Sequence, residues 1–257
     1  MQVTSRHREE ANTFGPLFRL RRIGRLLGLQ SMVLPTKVGR IYIRPRNSDA
    51  DAFIQIFIRK PYDLSPFPQY RRVLAEYERI LAAGERPVIL DAGANVGAAS
   101  RWFSMQFPKA AIVALEPDRD SVAICRKNLG RVASAKVVEA AIGSVTGYVK
   151  IIPNEESLAV RTERSLEGSA PIMTVPEAVR LVEGRPRLFI VKVDIEGFES
   201  DLFAEATQWV STTPVLFVEI HDWLFPGQHT SKNLLKVLSA TDHEILVVGG
   251  DTLAFVR

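Results

Sequence analysis

The sequence predicts an α/β protein built on a seven-stranded, mostly parallel, doubly wound sheet. From Pro87 onward, short apolar segments rich in β-branched residues alternate with amphipathic segments of helical length. This alternation is typical of parallel strands joined by helical crossovers. The first strand runs into a turn that contains two glycines and opens a helix. The last two apolar segments are separated only by a short turn, which predicts a terminal antiparallel strand.

Residues 1–86 are predicted to form an extension that precedes the sheet domain of residues 87–257 and helps to roof its site. The stretch "FRLRRIGRLLGL" predicts a short amphipathic helix, because Leu20, Ile23 and Leu27 share one helical face. The apolar segments "GRIYIRP" and "FIQIFI" flank the turn-like "RNSDAD" and predict a β-hairpin. A longer helix is then predicted to end at Gly84.

The sheet domain contains the seven predicted strands, with helices between most of them. Asp118 is placed to cap the helix that follows the second strand, and Gly130 to end it. The stretch "YVKIIPNEESLAVRTERS" is less regular and predicts an inserted β-loop, whereas "ESDLFAEATQWV" predicts a helix. The strands are predicted in "PVILDAG", "AAIVALEP", "AKVVEAAIG", "RLFIVKVDIEG", "TPVLFVEIH", "HEILVVG" and "TLAFVR".

Composition limits the possible classes of protein. A single cysteine, Cys125, excludes a disulfide framework and a cysteine zinc site. The chain lacks an apolar run that could span a membrane, and its first residues lack the apolar region of a secretory signal, so we expect a cytoplasmic protein.

Positive charge is concentrated near the N-terminus. Residues 1–46 carry a net charge of +8, whereas the rest of the chain carries −4. Such a segment suits an anionic membrane surface or nucleic acid, and it is equally typical of a solvated helix face.

The turn after the first strand reads "DAGANVG" and contains Asp91, Gly93, Asn95 and Gly97. A strand end that opens on glycines and a helix start offers unpaired backbone N–H groups and the positive end of a helix dipole. The same features also fit an ordinary, well-formed loop. Glu116 ends the next strand about 20 residues later, where a carboxylate can accept hydrogen bonds from both hydroxyls of a ribose.

Two cofactors fit this arrangement. A dinucleotide site requires G-x-G-x-x-G, whereas this turn reads D-x-G-x-N-x-G. A carboxylate at Asp91 would repel a pyrophosphate but could hold the amino group of a methionine moiety. The pattern therefore favours S-adenosyl-L-methionine, with an NAD-dependent oxidoreductase as the alternative.

Several blocks of the sequence resemble the FkbM family of S-adenosylmethionine-dependent methyltransferases. They are "DAGANVGAAS", "ALEPDRDSVAICRKNL", "VVEAAIGSVTG", "FIVKVDIEGFESDLF" and "VLFVEIH". The resemblance implies a class I methyltransferase Rossmann-like fold. It also implies contacts to the methionine part of the cofactor from the glycine turn, to the ribose from Glu116, and to the adenine from residues 139–142, including Ala141.

Candidate catalytic groups follow the fourth and fifth strands. Asp194 ends "FIVKVD", a strand predicted to neighbour the glycine turn, and Glu196 follows it. Glu219 and His221 share one face of the next strand end. We expect Asp194, His221 and Glu196 to deprotonate or orient the acceptor, Asp194 also lying beside the cofactor. If a divalent metal is used, Asp194, Glu196 and Glu219 supply oxygen ligands. Carboxylates that brace loops, beside a packed histidine, are the alternative.

The acceptor is predicted to be a small molecule that carries a hydroxyl group. The segment "DIEGF" stands where enzymes that methylate the amines of nucleic acids carry an Asn/Asp-Pro-Pro-Tyr motif. Together with the family resemblance, this favours O-methylation of a sugar, glycolipid or polyketide-like molecule. A non-catalytic basic adaptor that binds membrane or nucleic acid through residues 1–46 is a further alternative. The sequence indicates neither the identity of the acceptor nor an oligomeric state.

Overall fold

The structure, a computed structural model, describes residues 2–153, 160–249 and 252–257. Over these residues the chain forms nine α-helices and thirteen strands. The helices are α1 (Gln2–Phe14), α2 (Leu20–Leu26), α3 (Asp49–Ile54), α4 (Tyr70–Ala82), α5 (Ala98–Gln106), α6 (Arg119–Leu129), α7 (Val175–Arg180), α8 (Glu199–Leu202) and α9 (Lys232–Leu238). The strands are β1 (Met32–Thr36), β2 (Gly39–Ile43), β3 (Arg86–Ala92), β4 (Ala111–Glu116), β5 (Ala135–Glu139), β6 (Ala141–Ile142), β7 (Gly147–Pro153), β8 (Val160–Arg164), β9 (Ala170–Met173), β10 (Pro186–Val193), β11 (Val215–Glu219), β12 (Glu244–Val248) and β13 (Thr252–Val256).

A seven-stranded sheet forms the centre of the molecule, in the order β12-β13-β11-β10-β3-β4-β5. The pairs from β11 to β5 are parallel, whereas β13 is antiparallel to both of its neighbours. Strands β3 and β4 are buried along almost their whole length, as expected for strands covered on both faces. The predicted fold class, including the terminal antiparallel strand, is confirmed.

Two layers of helices cover the sheet. Side chains of α4 and α5 pack on the face that contains Ile89, and those of α7 and α9 pack on the face that contains Val88 and Leu90. Asp118 accepts a hydrogen bond from the backbone N–H of Ser121 (2.9 Å), which confirms the predicted helix cap.

Two helix predictions need comment. The segment "ESDLFAEATQWV" was expected to form one helix, but α8 ends at Leu202 and a separate 3₁₀ turn spans Thr207–Thr212. Ala206, with φ of +53°, breaks the path between them. The amphipathic helix predicted near the N-terminus is present as α2.

The N-terminal extension contains the expected β-hairpin, but with a different strand partner. β2 pairs with β1, with Leu34 opposite Ile41. The segment "FIQIFI" is not a strand, because it forms the end of α3 and a π-helical turn over Gln55–Arg59. The prediction of a strand there is wrong.

Burial and charge explain this difference. The buried side chains of the segment follow the i, i+1, i+3, i+4 spacing of a helix face, whereas a strand buries alternate residues; they are Phe53, Ile54, Ile56 and Phe57. Asp49 favours a helix start, because a carboxylate in the first turn is stabilised by the helix dipole. The strand β1 was not predicted because it contains Pro35, and proline is atypical of strands outside sheet edges.

The irregular segment after β5 forms a second, four-stranded sheet in the order β6-β9-β7-β8. β7 and β8 are antiparallel, in agreement with an inserted β-loop, and residues 154–159 of that prediction lie outside the described residues.

The extension and the sheet domain share one hydrophobic core. Phe14 and Phe18 of the extension belong to the same buried cluster as Ile89 and Phe189 of the sheet. The hydrophobic core therefore continues across the predicted boundary after residue 86. Within the described part of the chain, no helix has both the length and the apolar character needed to cross a bilayer.

Candidate active site

A cavity of ≈ 380 Å³ opens at the carboxyl ends of β4, β10 and β11. Open α/β sheets bind ligands at this edge, where the direction of winding reverses. The extension covers the cavity from the other side through the segment that links β2 to the π-helical turn. The contributing residues are Arg44, Asn47, Ser48, Asp51, Ala52 and Gln55. The extension thus contributes part of the roof, as expected.

Most residues singled out in the sequence line this cavity. They are Gly93, Asn95, Glu116, Ala141, Asp194, Glu196, Glu219 and His221. Two are absent from its lining: Asp91 is fully buried below the turn, and Gly97 lies at the start of α5. Of the segment expected to border an adenine, Ala140 and Ile142 also line the cavity, whereas Glu139 does not.

The turn between β3 and α5 has three residues in the left-handed region: Gly93 (φ +75°), Asn95 (φ +49°) and Gly97 (φ +82°). A Cβ at Gly93 would lie 1.8 Å from the carbonyl oxygen of Asp194, and one at Gly97 would lie 2.9 Å from Sγ of Cys125. Both glycines are therefore required by the packing of the turn itself.

Asp91 is held by groups of the protein. Ser100 donates a hydrogen bond to its Oδ2 (2.6 Å), and Nζ of Lys192 lies 3.2 Å from its Oδ1. The same ammonium group lies 3.4 Å from Asp194 and donates to the carbonyl of Gly93 (2.6 Å). Lys192 is therefore the cation beside Asp91, and a contact of Asp91 with the methionine part of a cofactor stays a prediction.

Lys192 is buried among these groups and remains charged. Burial alone would lower the pKa of its ammonium group, but the charges of Asp91 and Asp194 raise that pKa well above its ordinary value. The cation therefore ties the end of β10 to the turn after β3.

Glu116 lies at the end of β4 with only 7% of its surface exposed. Its Oε2 accepts a hydrogen bond from the backbone N–H of Asn95 (2.8 Å), and its Oε1 accepts one from that of Asp118 (2.9 Å). Burial raises the pKa of this carboxyl group to about 7, although both backbone donors oppose the shift. Each oxygen keeps a further lone pair, so the carboxylate can still accept hydrogen bonds from a ligand in the cavity.

His221 is buried at the centre of four carboxylates. Its Nδ1 lies 2.8 Å from Oε1 of Glu199, which is also buried. Its Nε2 lies 3.5 Å from Glu196, 3.7 Å from Asp194 and 3.9 Å from Glu219. The predicted cluster therefore forms, and Glu199 joins it from α8.

His221 and Glu196 differ in pKa and therefore suit different roles. Burial disfavours the charged form of His221, but the hydrogen bond and charge of Glu199, together with Asp194 and Glu196, raise its pKa to about 9. At neutral pH the ring is an imidazolium and has no free lone pair. The environment of His221 therefore does not favour it as the group that deprotonates the acceptor. Burial and the charge of Asp194 raise the pKa of Glu196 to about 7, against the effect of His221.

Glu196 is also held in an unfavourable backbone conformation. Its φ is +52°, a value that costs about 1–3 kcal/mol in a residue with a side chain. The following Gly197 packs so closely on Phe225 that an added Cβ would lie 2.4 Å from the ring. The surrounding packing therefore fixes the turn that points Glu196 at the cavity.

A divalent metal remains chemically compatible with part of the cluster. Ligand atoms of Asp194, Glu219 and His221 lie within 4.8 Å of one another. This set contains His221 where the sequence suggested Glu196. Two carboxylates and an imidazole suit a transition metal ion rather than magnesium.

Sequence reasoning missed Lys192 and Glu199. A lysine inside the apolar strand "FIVKVD" is a signal for a buried, paired cation, since lysine is almost never buried without a partner. Glu199 gave no such signal, because its pairing with His221 depends on the short helix α8.

The strand order, the single antiparallel strand β13 and a cavity at the carboxyl ends define a class I methyltransferase fold. A family model described as "Methyltransferase FkbM domain" matches residues 91–245. The chain belongs to the FkbM methyltransferase family, as the sequence resemblance implies. It is a methyltransferase and uses a methyl donor of the S-adenosylmethionine type, which sets aside the oxidoreductase alternative.

Two relatives are similar to this chain. The 2-O-methyltransferase NoeI of Sinorhizobium fredii (strain NBRC 101917 / NGR234) is 28% identical over 70% of this chain and 80% of its own length. The hexuronic acid methyltransferase AglP of Haloferax volcanii is 28% identical over 61% of this chain and 63% of its own length, so the match leaves more than a third of AglP uncovered. Among solved structures, the precorrin-6y C5,15-methyltransferase of Geobacter metallireducens GS-15 is similar with a TM-score of 0.40 and 14% identity, over 72% of this chain and 88% of that one.

Proposed function

We propose that this protein transfers a methyl group from S-adenosyl-L-methionine to a hydroxyl group of a sugar. The observation that carries the proposal is the cluster of Asp194, Glu196 and His221, which lines the same cavity as Glu116 and the β3–α5 turn. The relatives named as a 2-O-methyltransferase and a hexuronic acid methyltransferase support a sugar acceptor. A glycolipid carries the same hydroxyl chemistry in its sugar part.

The residues present fit the proposed cofactor. The Glu116 carboxylate can accept hydrogen bonds from the two ribose hydroxyls through its remaining lone pairs. Ala141 and Ile142 offer an apolar wall for the adenine. Asn95 lines the cavity at the turn and holds Glu116 through its backbone N–H. We assign the methionine part to the region of Asp194, which lines the cavity at the adjoining strand end.

The cofactor supplies an electrophilic methyl group on a positively charged sulfur. The acceptor oxygen must lose its proton as it bonds to that carbon. Glu196 suits this step, because a base whose pKa lies near the working pH is the most effective. The His221 imidazolium offsets the negative charges around it, and Glu199 fixes its orientation through Nδ1.

The proposal is tested first by binding and then by transfer. Calorimetry with S-adenosylhomocysteine and with NAD is expected to show binding of the former alone. Incubation with S-adenosylmethionine and a panel of hexoses and hexuronic acids is then expected to yield a methyl ether on one sugar hydroxyl, detected by mass spectrometry. Methylation confined to amines or thiols would contradict the proposal.

Glu116→Ala is expected to weaken binding of S-adenosylhomocysteine about tenfold or more, because ribose hydrogen bonds to a charged partner contribute roughly 1.5–3 kcal/mol. Asp120→Ala, on the exposed first turn of α6, is the matched control. Unchanged affinity in Glu116→Ala would contradict the assignment of the ribose to this carboxylate.

Binding is also expected to depend on pH. The ionised form of Glu116 accepts the ribose hydrogen bonds, whereas its pKa of about 7 means that the free protein binds a proton there below neutrality. A ligand that requires the ionised form must displace this proton, so affinity is expected to fall as pH decreases below about 7 and to level off above it. Calorimetry from pH 5.5 to 8.5, roughly 1.5 pH units on either side of the pKa of Glu116, checks this expectation. A flat profile would contradict it.

A further inference from the structure

Exposed apolar side chains are concentrated on the N-terminal extension. Among the described residues, sixteen large apolar side chains are exposed, and seven of them fall between residues 17 and 33. Leu26 and Leu27 are 84% and 70% exposed. We name this group the leucine face: Leu17, Leu20, Ile23, Leu26, Leu27, Leu29 and Val33.

The packing of α2 explains why its apolar residues are exposed. The helix contacts the hairpin through Gly24, where an added Cβ would lie 2.5 Å from Met32 and 3.0 Å from Pro45. Arg21 is also turned inward: it forms an ion pair with buried Glu10 (2.7 Å) and stacks over the ring of Phe18. The protein thus covers the side of α2 that contains glycine and a paired arginine, and it leaves the leucine face to solvent.

Exposed arginines alternate with residues of the leucine face along the chain. Three arginines beside this face are exposed: Arg19, Arg22 and Arg25. The sequence has no acidic residue between Glu10 and Asp49, a stretch that contains eight basic residues. The segment that carries the exposed leucines therefore has no acidic residue of its own, and Arg21 pairs with Glu10, which precedes it.

From this combination we propose that the leucine face docks on an anionic membrane surface. A short helix with exposed leucines and flanking arginines inserts its apolar side between lipid headgroups, while the arginines bind the negative headgroups. The exposed leucines need an apolar phase, and the arginines need negative charge. An anionic bilayer offers negative headgroups at its surface and hydrocarbon directly beneath them. Nucleic acid offers the charge but no apolar phase for Leu26 and Leu27.

The docked surface adjoins the mouth of the cavity. Gly28 lies against Arg46, whose guanidinium is 2.7 Å from where a Cβ would stand. The next two residues, Asn47 and Ser48, line the cavity. Docking therefore brings the roof of the active site close to the membrane. The proposal does not depend on the identity of the acceptor.

Vesicle co-sedimentation of the full chain tests the proposal without any measurement of activity. Binding is expected to vesicles that contain phosphatidylglycerol, to be weaker on phosphatidylcholine alone, and to fall as salt concentration rises. Leu26→Glu with Leu27→Glu is expected to lower the partition coefficient at least about tenfold, because two apolar contacts are lost. Arg19→Gln and Arg25→Gln are each expected to lower it about fivefold.

Leu166→Glu is the matched control, because Leu166 is fully exposed on the loop after β8 and lies outside the leucine face. It is expected to bind vesicles as the wild type does. All altered side chains are exposed, and equal melting temperatures would verify that folding is intact. Equal binding to anionic and neutral vesicles would overturn the proposal. Unchanged binding by the Leu26/Leu27 variant would also overturn it. The proposal would also be overturned if the wild type did not bind vesicles and formed a dimer in analytical ultracentrifugation, while the Leu26/Leu27 variant was a monomer.

Discussion

Glu196→Gln is expected to lower turnover by about 10²–10⁴-fold, the range for loss of a general base, with little change in the affinity for S-adenosylhomocysteine. Glutamine keeps the shape of the side chain but cannot accept the acceptor's proton at neutral pH. Glu205→Gln is the matched control, because Glu205 is exposed and lies outside the cavity. Methyl transfer to a sugar acceptor at saturating substrate, followed by mass spectrometry, measures the effect.

The pH profile of the wild type separates a base from a structural carboxylate. With a pKa of about 7, Glu196 is protonated in acid and ionised above neutrality, so kcat/KM is expected to rise with pH through about 7. It should decline again when His221 loses its proton near pH 9. When S-adenosylmethionine is kept saturating at every pH, so that the titration of Glu116 does not contribute, Glu196→Gln should abolish the acidic limb. Near-normal turnover in both Glu196→Gln and Asp194→Asn would contradict the catalytic assignment and leave these carboxylates as supports of the strand ends.

A chelator distinguishes this arrangement from metal catalysis. If Asp194, Glu219 and His221 hold an ion, treatment with EDTA should abolish turnover, and added metal should restore it. In the base mechanism EDTA should have no effect. His221→Ala is expected to lower turnover in both cases, because it removes either a ligand or the cation that balances the cluster, and it also leaves Glu199 buried without its partner.

Lys192→Met is expected to reduce the free energy of unfolding by about 3–5 kcal/mol, the usual cost of removing one partner from a buried ion pair. Methionine has a similar length but leaves Asp91 as an uncompensated charge with no exposed surface. For a chain of this size the melting temperature should fall by roughly 6–20 °C, at about 2–4 °C for each kcal/mol. Thermal and urea unfolding, with and without S-adenosylhomocysteine, measure the change.

The double variant Lys192→Met with Asp91→Asn is the control for charge. It removes both members of the 3.2 Å pair and is expected to recover part of the lost stability, because no buried charge on Asp91 remains. A single variant as stable as the wild type, or a double variant that loses the sum of both single effects, would contradict the coupling between Lys192 and Asp91.

The parts of the fold that follow from local periodicity are predictable from the sequence. Strands β3, β4, β10 and β11 are covered on both faces, so they appear as continuous apolar runs. The segment from Phe53 to Phe57 was ambiguous because a short apolar run fits a strand and a buried helix equally well. Arg44 contacts Asp49 at the start of the helix (2.8 Å), and the apolar run itself does not indicate this contact.

The candidate site divides in the same way. Glu116, Asp194 and His221 stand at strand ends, so their meeting follows from sheet order alone. The charge of each group does not follow from position, because a pKa depends on burial and on neighbours distant in sequence. Glu199 lies 22 residues from His221 along the chain, and that contact makes the histidine a cation at neutral pH. The position of His221 in the sequence suggested a base, whereas the pKa values in the folded protein favour Glu196 for that role.

The shared core of extension and sheet constrains how the chain folds as it is synthesised. Tyr62 of the extension packs edge-on against Phe217 of β11, with ring centroids 5.3 Å apart. Arg72 pairs with Glu244 at 2.7 Å. Because the extension is synthesised first, its buried side chains, such as Phe14, Phe18 and Tyr62, stay exposed until strands encoded more than a hundred residues later are made. We therefore expect the nascent chain to bind chaperones until β11 emerges from the ribosome.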